Sequence, residues 1–297
     1  MTSFDVNGIT LSVRIAGEED GPTVVLCHGF PELGHSWRHQ VPALVAAGYR
    51  VVVPDLRGYG GSSRPAEVEA YDIVTLAGDM VGLLDALGAE DAVFVGHDWG
   101  ATVVWGVALL HPERVRAVAG LSVPPMRRAP APPVSILRRR LGDEFYIAWF
   151  QEPGVADAAL ARDVRRTIAS PKPPSPSWAE PAAEPTPCPA WMTEDDLDHY
   201  ISTFERTGFT GPLNYYRNID RNWELTERFG DRIDRPSMFL VGERDPVGRF
   251  MATDHLSDLL TDLRANVVVD GAGHWVQQER PEEVNAALLG FLREVAG

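Results

Sequence analysis

Short runs of β-branched and aliphatic residues alternate with helical patterns through the first 124 positions. Positions 9–15 alternate apolar and polar, the period-two signature of a strand with one buried face. Positions 23–27, 49–53, 92–95 and 115–121 are nearly continuous apolar runs, as expected of strands covered on both faces. Between them, 35–47, 71–87 and 101–110 carry apolar residues at helical spacing and stop at Gly48, Gly88 and before Pro112. Strands alternating with helices predict an α/β fold with a mostly parallel central sheet flanked by helices.

The pattern changes after Pro124. From 125 to about 225 no buried strand is legible, and helical patterns occupy about 143–151, 155–169, 193–206 and 212–224. Eight prolines fall within the nineteen positions 171–189. Each proline fixes φ and removes a donor, so this stretch reads as loop. Strand patterns resume at 237–241 and 266–269, and a last helix is expected over about 281–295. The expected division is a core domain from 1–124 and 226–297, with a mainly helical cap domain, 125–225, inserted over the sheet.

Composition adds limits rather than detail. At 44% hydrophobic and 23% charged, the chain is ordinary for a globular protein. A formal net charge of -15 argues against a nucleic-acid partner, because phosphate binding needs clustered Lys and Arg. The three arginines Arg138, Arg139 and Arg140 read as a solvated face. Two cysteines, Cys27 and Cys188, make no disulfide framework and fit a reducing compartment. Positions 1–15 lack the charged and apolar regions of a secretory signal. No apolar stretch approaches the ~20 residues of a membrane helix. The expectation is a cytoplasmic protein without membrane insertion.

The candidate chemistry begins at Gly96-His97-Asp98-Trp99-Gly100, directly after the 92–95 strand and before a helix. Small residues two before and two after the central one permit a tight strand-turn-helix that projects that residue from the sheet end. Here the centre is Asp. A carboxylate attacking an acyl carbon gives a high-energy anhydride, whereas attack on an sp³ carbon gives an ordinary ester that water can cleave. Asp98 therefore points to an alkylated intermediate, with an epoxide or alkyl halide as electrophile. Asp is also a common helix cap, which is the alternative role at this position.

Two further residues complete a set. His274 lies in Gly271-Ala272-Gly273-His274-Trp275 after the last expected strand, and Asp245 in Val241-Gly242-Glu243-Arg244-Asp245-Pro246 after the one before it. The order nucleophile, acid, base is that of an α/β-hydrolase. His274 would activate water against the Asp98 ester, and Asp245 would orient the imidazole. The loop His28-Gly29-Phe30-Pro31 follows the 23–27 strand. It can supply the Phe30 N–H to an oxyanion hole shared with the Trp99 N–H. His28 itself reads as a loop organiser, and Phe30–Pro31 as a candidate cis peptide. His35 and His39 are four apart on a helical pattern, but no third ligand accompanies them, so no metal is expected. No phosphate cradle or nucleotide motif is present, and no cofactor is expected.

These residues resemble the α/β-hydrolase superfamily and, within it, epoxide hydrolases of the soluble type. The resemblance spans nearly the whole chain and includes Asp55-Leu56-Arg57-Gly58-Tyr59-Gly60. Trp149-Phe150-Gln151-Glu152-Pro153-Gly154-Val155 is similar to the first cap motif of that family, and Pro212-Leu213-Asn214-Tyr215-Tyr216-Arg217-Asn218 to a late one. The resemblance implies two proton-donating tyrosines, Tyr146 and Tyr216. Phe30, Trp99 and Phe150 are candidates for the pocket lining, with a place in the core as their alternative role. The reaction it implies takes a small-molecule epoxide and water to a vicinal diol through an ester on Asp98. The proline-rich stretch, Ile147 and Trp149 depart from the family pattern and bear on substrate shape. Haloalkane dehalogenases share the Asp nucleophile and the following Trp. They usually carry a second halide donor where Phe30 stands and lack the paired phenols. A catalytically silent ligand-binding protein on the same fold is the other alternative.

Overall fold

The computed structural model describes residues 1–295 except 171, 181, 250 and 252. Eight strands build one sheet: β1 (Thr2–Val6), β2 (Ile9–Ala16), β3 (Thr23–Cys27), β4 (Arg50–Pro54), β5 (Ala92–His97), β6 (Val115–Leu121), β7 (Ile233–Gly242) and β8 (Leu260–Val269). Their order is β1-β2-β4-β3-β5-β6-β7-β8. The β1–β2 and β2–β4 pairs are antiparallel, and every pair from β4 to β8 is parallel. The central runs are buried as their composition demands: Val24, Val25, Leu26 and Cys27 of β3 are inaccessible, as are Val51 and Val52 of β4. Each such aliphatic side chain contributes roughly 1.5–3 kcal/mol by leaving water. Val24, Leu26 and Val93 join Trp37, Met238 and Leu288 in one core cluster.

The strand order reverses direction at β3. The chain places β4 on one side of it and β5 on the other. The connections leaving β3 and β5 therefore diverge, which is the topological position at which open α/β sheets place ligand sites. The candidate residues His28, Phe30 and Asp98 all follow these two strands.

By the density of internal contacts the chain forms two compact units. One comprises Met1–Leu56, Ile73–Arg127 and Phe229–Gly297; the other comprises Arg57–Asp72 and Arg128–Arg228. Segment 57–72, which the strand–helix pattern put with the sheet, belongs to the helical unit. The Tyr215 hydroxyl donates to the Arg57 carbonyl at 2.8 Å, and the Asn218 amide donates to the Val68 carbonyl at 2.6 Å. Gly58 and Gly211 touch backbone to backbone there; a Cβ on Gly211 would lie 2.8 Å from the Gly58 Cα. Nothing in a local pattern reports such a long-range seat.

Other departures have local causes. The 155–169 helix divides into Val155–Arg162 and Val164–Ala169, because the Asp163 carboxylate accepts the Arg166 N–H at 2.8 Å and starts a new helix. The 212–224 helix divides into Thr210–Arg217 and Ile219–Leu225 at Asn218, and 143–151 contracts to Tyr146–Trp149. The 35–47 helix becomes a 3-10 turn, Gly34–Trp37, and a helix, Gln40–Ala46. A helix at Pro133–Leu141 and the strand β1 were not legible. Strand β8 is longer than its apolar run because it lies at the sheet edge, where Val268 is exposed. Among the described residues of 171–189 the one helical turn is Pro176–Ala179; Pro171 and Pro181 lie outside the described residues. Among the described residues no helix is long and apolar enough to cross a membrane.

Strand β5 passes into the helix Trp99–Leu110 in almost no space. A Cβ on Gly96 would lie 2.1 Å from the Gly100 carbonyl oxygen, and one on Gly100 2.1 Å from the Cys27 carbonyl oxygen. Both obstacles are backbone and cannot rotate away. Gly100→Ala should therefore destabilise the protein by about 1–3 kcal/mol or more in chemical denaturation. Gly290, in the helix Pro281–Val295, has open space where a Cβ would project. Gly290→Ala should shift the same curve the other way, by about 0.5–1 kcal/mol.

Candidate active site

Asp98 occupies the turn with φ 51° and ψ -117°, outside the regions L residues favour. Such a conformation costs of order 1–3 kcal/mol and persists only where the surroundings fix it. Its N–H donates to the Leu121 carbonyl, and its carbonyl accepts from the Thr102 N–H, both at 3.2 Å. Asp98 holds the N-cap position of its helix, yet its side chain makes no capping hydrogen bond. The carboxylate instead turns outward. Oδ1 accepts the Phe30 N–H at 2.8 Å, and Oδ2 lies 3.5 Å from His274 Nε2. The Phe30–Pro31 peptide is cis.

His274 presents its other nitrogen to Asp245. Nδ1 is 3.1 Å from both carboxylate oxygens. The Val247 N–H donates to Asp245 Oδ1 at 2.9 Å. The imidazole thus stands between two carboxylates. Burial, the largest single influence, disfavours its charged form. The hydrogen bonds and charges of Asp245 and Asp98 outweigh it and push the His274 pKa up to about 10. Burial equally opposes ionisation of Asp98, but the His274 hydrogen bond and charge hold its carboxyl below the usual range. Asp245 is held low in the same way.

His28 has a fixed role in the loop. Its Nδ1 lies 2.9 Å from the Gly29 carbonyl, and its Nε2 accepts the Leu56 N–H at 3.0 Å. Burial lowers its pKa, consistent with the neutral tautomer those partners require.

Several residues in this site escaped sequence reasoning. Glu32 and His97 are wholly or nearly buried, with Nδ1 of the ring 2.8 Å from Glu32 Oε2. The same carboxylate accepts the Gly29 N–H at 3.2 Å and the amides of Gln278 and Gln277 at 2.7 and 3.3 Å. His97 Nε2 donates to the His274 carbonyl at 2.7 Å. One buried cluster therefore joins the loop after β3, the turn after β5 and the His274 loop. Its only sequence signal is adjacency, since Glu32 and His97 neighbour motif residues. Ser122, at φ 69°, also donates to the His274 carbonyl, at 2.9 Å. Among the described residues no group of three His, Cys, Asp or Glu side chains could hold a metal ion.

In the helical unit, Tyr146 opens the helix Tyr146–Trp149 and Tyr216 lies on Thr210–Arg217. Their ring centroids are 6.0 Å apart at 79°. Phe150 is fully buried and packs edge-on against both, 5.6 Å from Tyr146 and 5.0 Å from Tyr216. The guanidinium of Arg217 ties the two helices together. It donates to the Phe150 carbonyl at 3.1 Å and to Asn214 Oδ1 at 2.9 Å, and pairs with Asp157. The neighbouring Tyr215 points away from this pair, its hydroxyl committed to the Arg57 carbonyl.

Residues 22–281 match the family profile of the alpha/beta hydrolase fold. Epoxide hydrolase A of Mycobacterium tuberculosis is 54% identical over 97% of this chain and 95% of its own length. Epoxide hydrolase 2 of Siraitia grosvenorii is 41% identical over 99% and 98%. The crystal structure of epoxide hydrolase A from Mycobacterium thermoresistibile superposes with a TM-score of 0.92 at 54% identity, covering 98% of this chain and 97% of that one. These similarities favour neither a dehalogenase nor a silent binding protein. The strained aspartate turn, the sheet that carries it and the kinship of the whole sequence agree, and this chain belongs to the α/β-hydrolase fold family as one of its epoxide hydrolases.

Proposed function

We propose that this epoxide hydrolase converts its epoxide to a vicinal diol in two steps through a covalent ester on Asp98. The observation that carries the reading is the Asp98–His274–Asp245 line, with the Phe30 N–H already against Asp98 Oδ1. Because Oδ1 is engaged, Oδ2 is the attacking atom. It bonds to an epoxide carbon as the ring C–O bond breaks, and the leaving oxygen takes a proton from Tyr146 or Tyr216. A phenol, with an ordinary pKa near 10, keeps its proton at neutral pH and can donate as alkoxide charge develops.

In the second step His274 removes a proton from water, which attacks the carboxyl carbon of the ester. Negative charge gathers on Oδ1, where the Phe30 N–H stands and the Trp99 N–H is assigned as the second donor. The bond from that carbon to Oδ2 then breaks, the departing oxygen takes the proton held by His274 and the diol leaves, while the proton of the new Asp98 carboxyl restores the tyrosine to its neutral form. Esterification also switches the base on. In the free enzyme His274 is charged because two carboxylates face it. Once Asp98 is an ester its charge is gone, so the His274 pKa falls, the ring releases its proton to solvent and can then accept one from the attacking water. Phe30, Trp99 and Phe150 are assigned to the substrate pocket in the same scheme. A cytoplasmic setting is part of the reading, supported by the free thiols of Cys27 and Cys188.

One turnover of a simple aryl epoxide in isotopically labelled water should place label in the Asp98 carboxylate, read by peptide mass. Label found only in the diol excludes the covalent route. Asp98→Ala should abolish turnover, and His274→Gln should accumulate the ester. Tyr146→Phe and Tyr216→Phe should each slow ring opening, and together by about 10²–10⁴, measured as the rate of ester formation. NMR titration should find His274 charged until about pH 10. In Asp98→Asn, which mimics the neutral ester, that pKa should drop by about one unit or more. An unchanged value there would show that the Asp98 charge does not govern the base.

A further inference from the structure

The direction of the His274 ring is set by the backbone of the loop 271–275. The N–H groups on both sides of His274 end on one side chain. Gly273 donates to Glu279 Oε2 at 2.6 Å, and Trp275 donates to Glu279 Oε1 at 3.0 Å. A carboxylate suits this seat because it offers two acceptor atoms in a fork. A carboxamide offers one, and its NH₂ group would face the second N–H donor to donor.

The seat is also shaped for the carboxylate. A Cβ at position 273 would lie 2.9 and 3.1 Å from the two carboxylate oxygens, so glycine is what lets them close on the backbone. The loop is pressed in turn against the end of β7, which leads to Asp245. A Cβ on Gly242 would lie 2.2 Å from the Gly273 carbonyl oxygen, and the Arg244 N–H donates to the Ala272 carbonyl at 2.8 Å. From the other side, the His274 carbonyl is held by His97 and Ser122. Glu279 is half-buried, and the proposed chemistry gives it no role.

We propose that Glu279 is a positioning residue for the water step. By binding both N–H groups that flank His274, it fixes the line along which Nε2 meets the ester on Asp98. The inference rests on the reading of His274 as the base. Glu279 also ends the short helix Val276–Glu279, so a purely structural role has to be separated from a positioning one. The two half-reactions separate them. Ring opening does not use the base, and ester cleavage does.

The test is single-turnover rapid quench with the full chain in excess over a simple aryl epoxide, ester and diol being quantified by mass. In Glu279→Gln, ester formation should stay within about 2-fold of wild type while ester decay slows about 10-fold or more, as expected when a catalytic group is misaligned. Gly273→Ala disturbs the same seat from the backbone side and should give the same split, so the proposal stays testable if one variant fails to fold. Unchanged ester decay overturns it. So does an equal slowing of both half-reactions with a lowered melting temperature, which marks a structural role only. His274→Gln is run alongside. If that variant does not accumulate ester, the assignment of the base fails and this inference falls with it. If it does, while Glu279→Gln and Gly273→Ala do not, only the positioning role fails.

Discussion

Asp98 stands between the end of β5 and the start of its helix because the chain turns there in less room than a methyl group needs. Gly96 and Gly100 meet that constraint, each lying where any Cβ would strike backbone at 2.1 Å. The turn forces Asp98 to a positive φ, and the strain is held by hydrogen bonds to Leu121 and Thr102. Without this close approach, the helix Trp99–Leu110 could not begin directly behind β5. The carboxylate would then lose both the Phe30 N–H and His274. The rest of the site is arranged around a group whose backbone has no freedom left.

A second layer of polar groups surrounds the turn. Glu32 and His97 link three loops that are far apart in sequence, and they do so almost without solvent. A buried charge is costly unless its partners are complete, and Glu32 has donors on both oxygens. The cluster therefore favours a single arrangement of the loops. Ser122 and Glu279 extend the same principle to His274, whose carbonyl and flanking N–H groups all have partners. Precision of about half an ångström in the proposed chemistry depends on such supporting contacts, because loops alone are mobile.

The electrostatics follow from that geometry. An imidazole between two carboxylates, away from bulk water, is a stronger base than histidine in solution. Its charge in turn keeps Asp98 ionised against the effect of burial. In the proposed scheme the nucleophile and the base are charged together until the substrate neutralises one of them, which releases the other. The tyrosine pair is built by different means. Phe150 packs edge-on against both rings while Arg217 joins their helices, so the pair is set by packing and one buried ion pair.

The sequence by itself determined the parallel sheet and the turn, and it singled out Asp98, His274 and Asp245 as the candidates at strand ends, because each leaves a local mark. Buried strands are apolar runs, tight turns need glycine, and the residues in question follow strand ends. It also marked Tyr146 and Tyr216 through their motifs. It could not place segment 57–72 with the helices, nor find Glu32, His97, Ser122 and Glu279 as partners of the site. The helix breaks at Asp163 and Asn218 were equally invisible, since periodicity does not reveal which polar side chain will capture a nearby backbone group. Those breaks are local captures, but the seat of 57–72 and the partnerships of Glu32, His97 and Ser122 were decided only by the tertiary structure. A buried hydrogen bond between residues far apart in sequence has no period and no composition, and it exists only once the chain has folded around it.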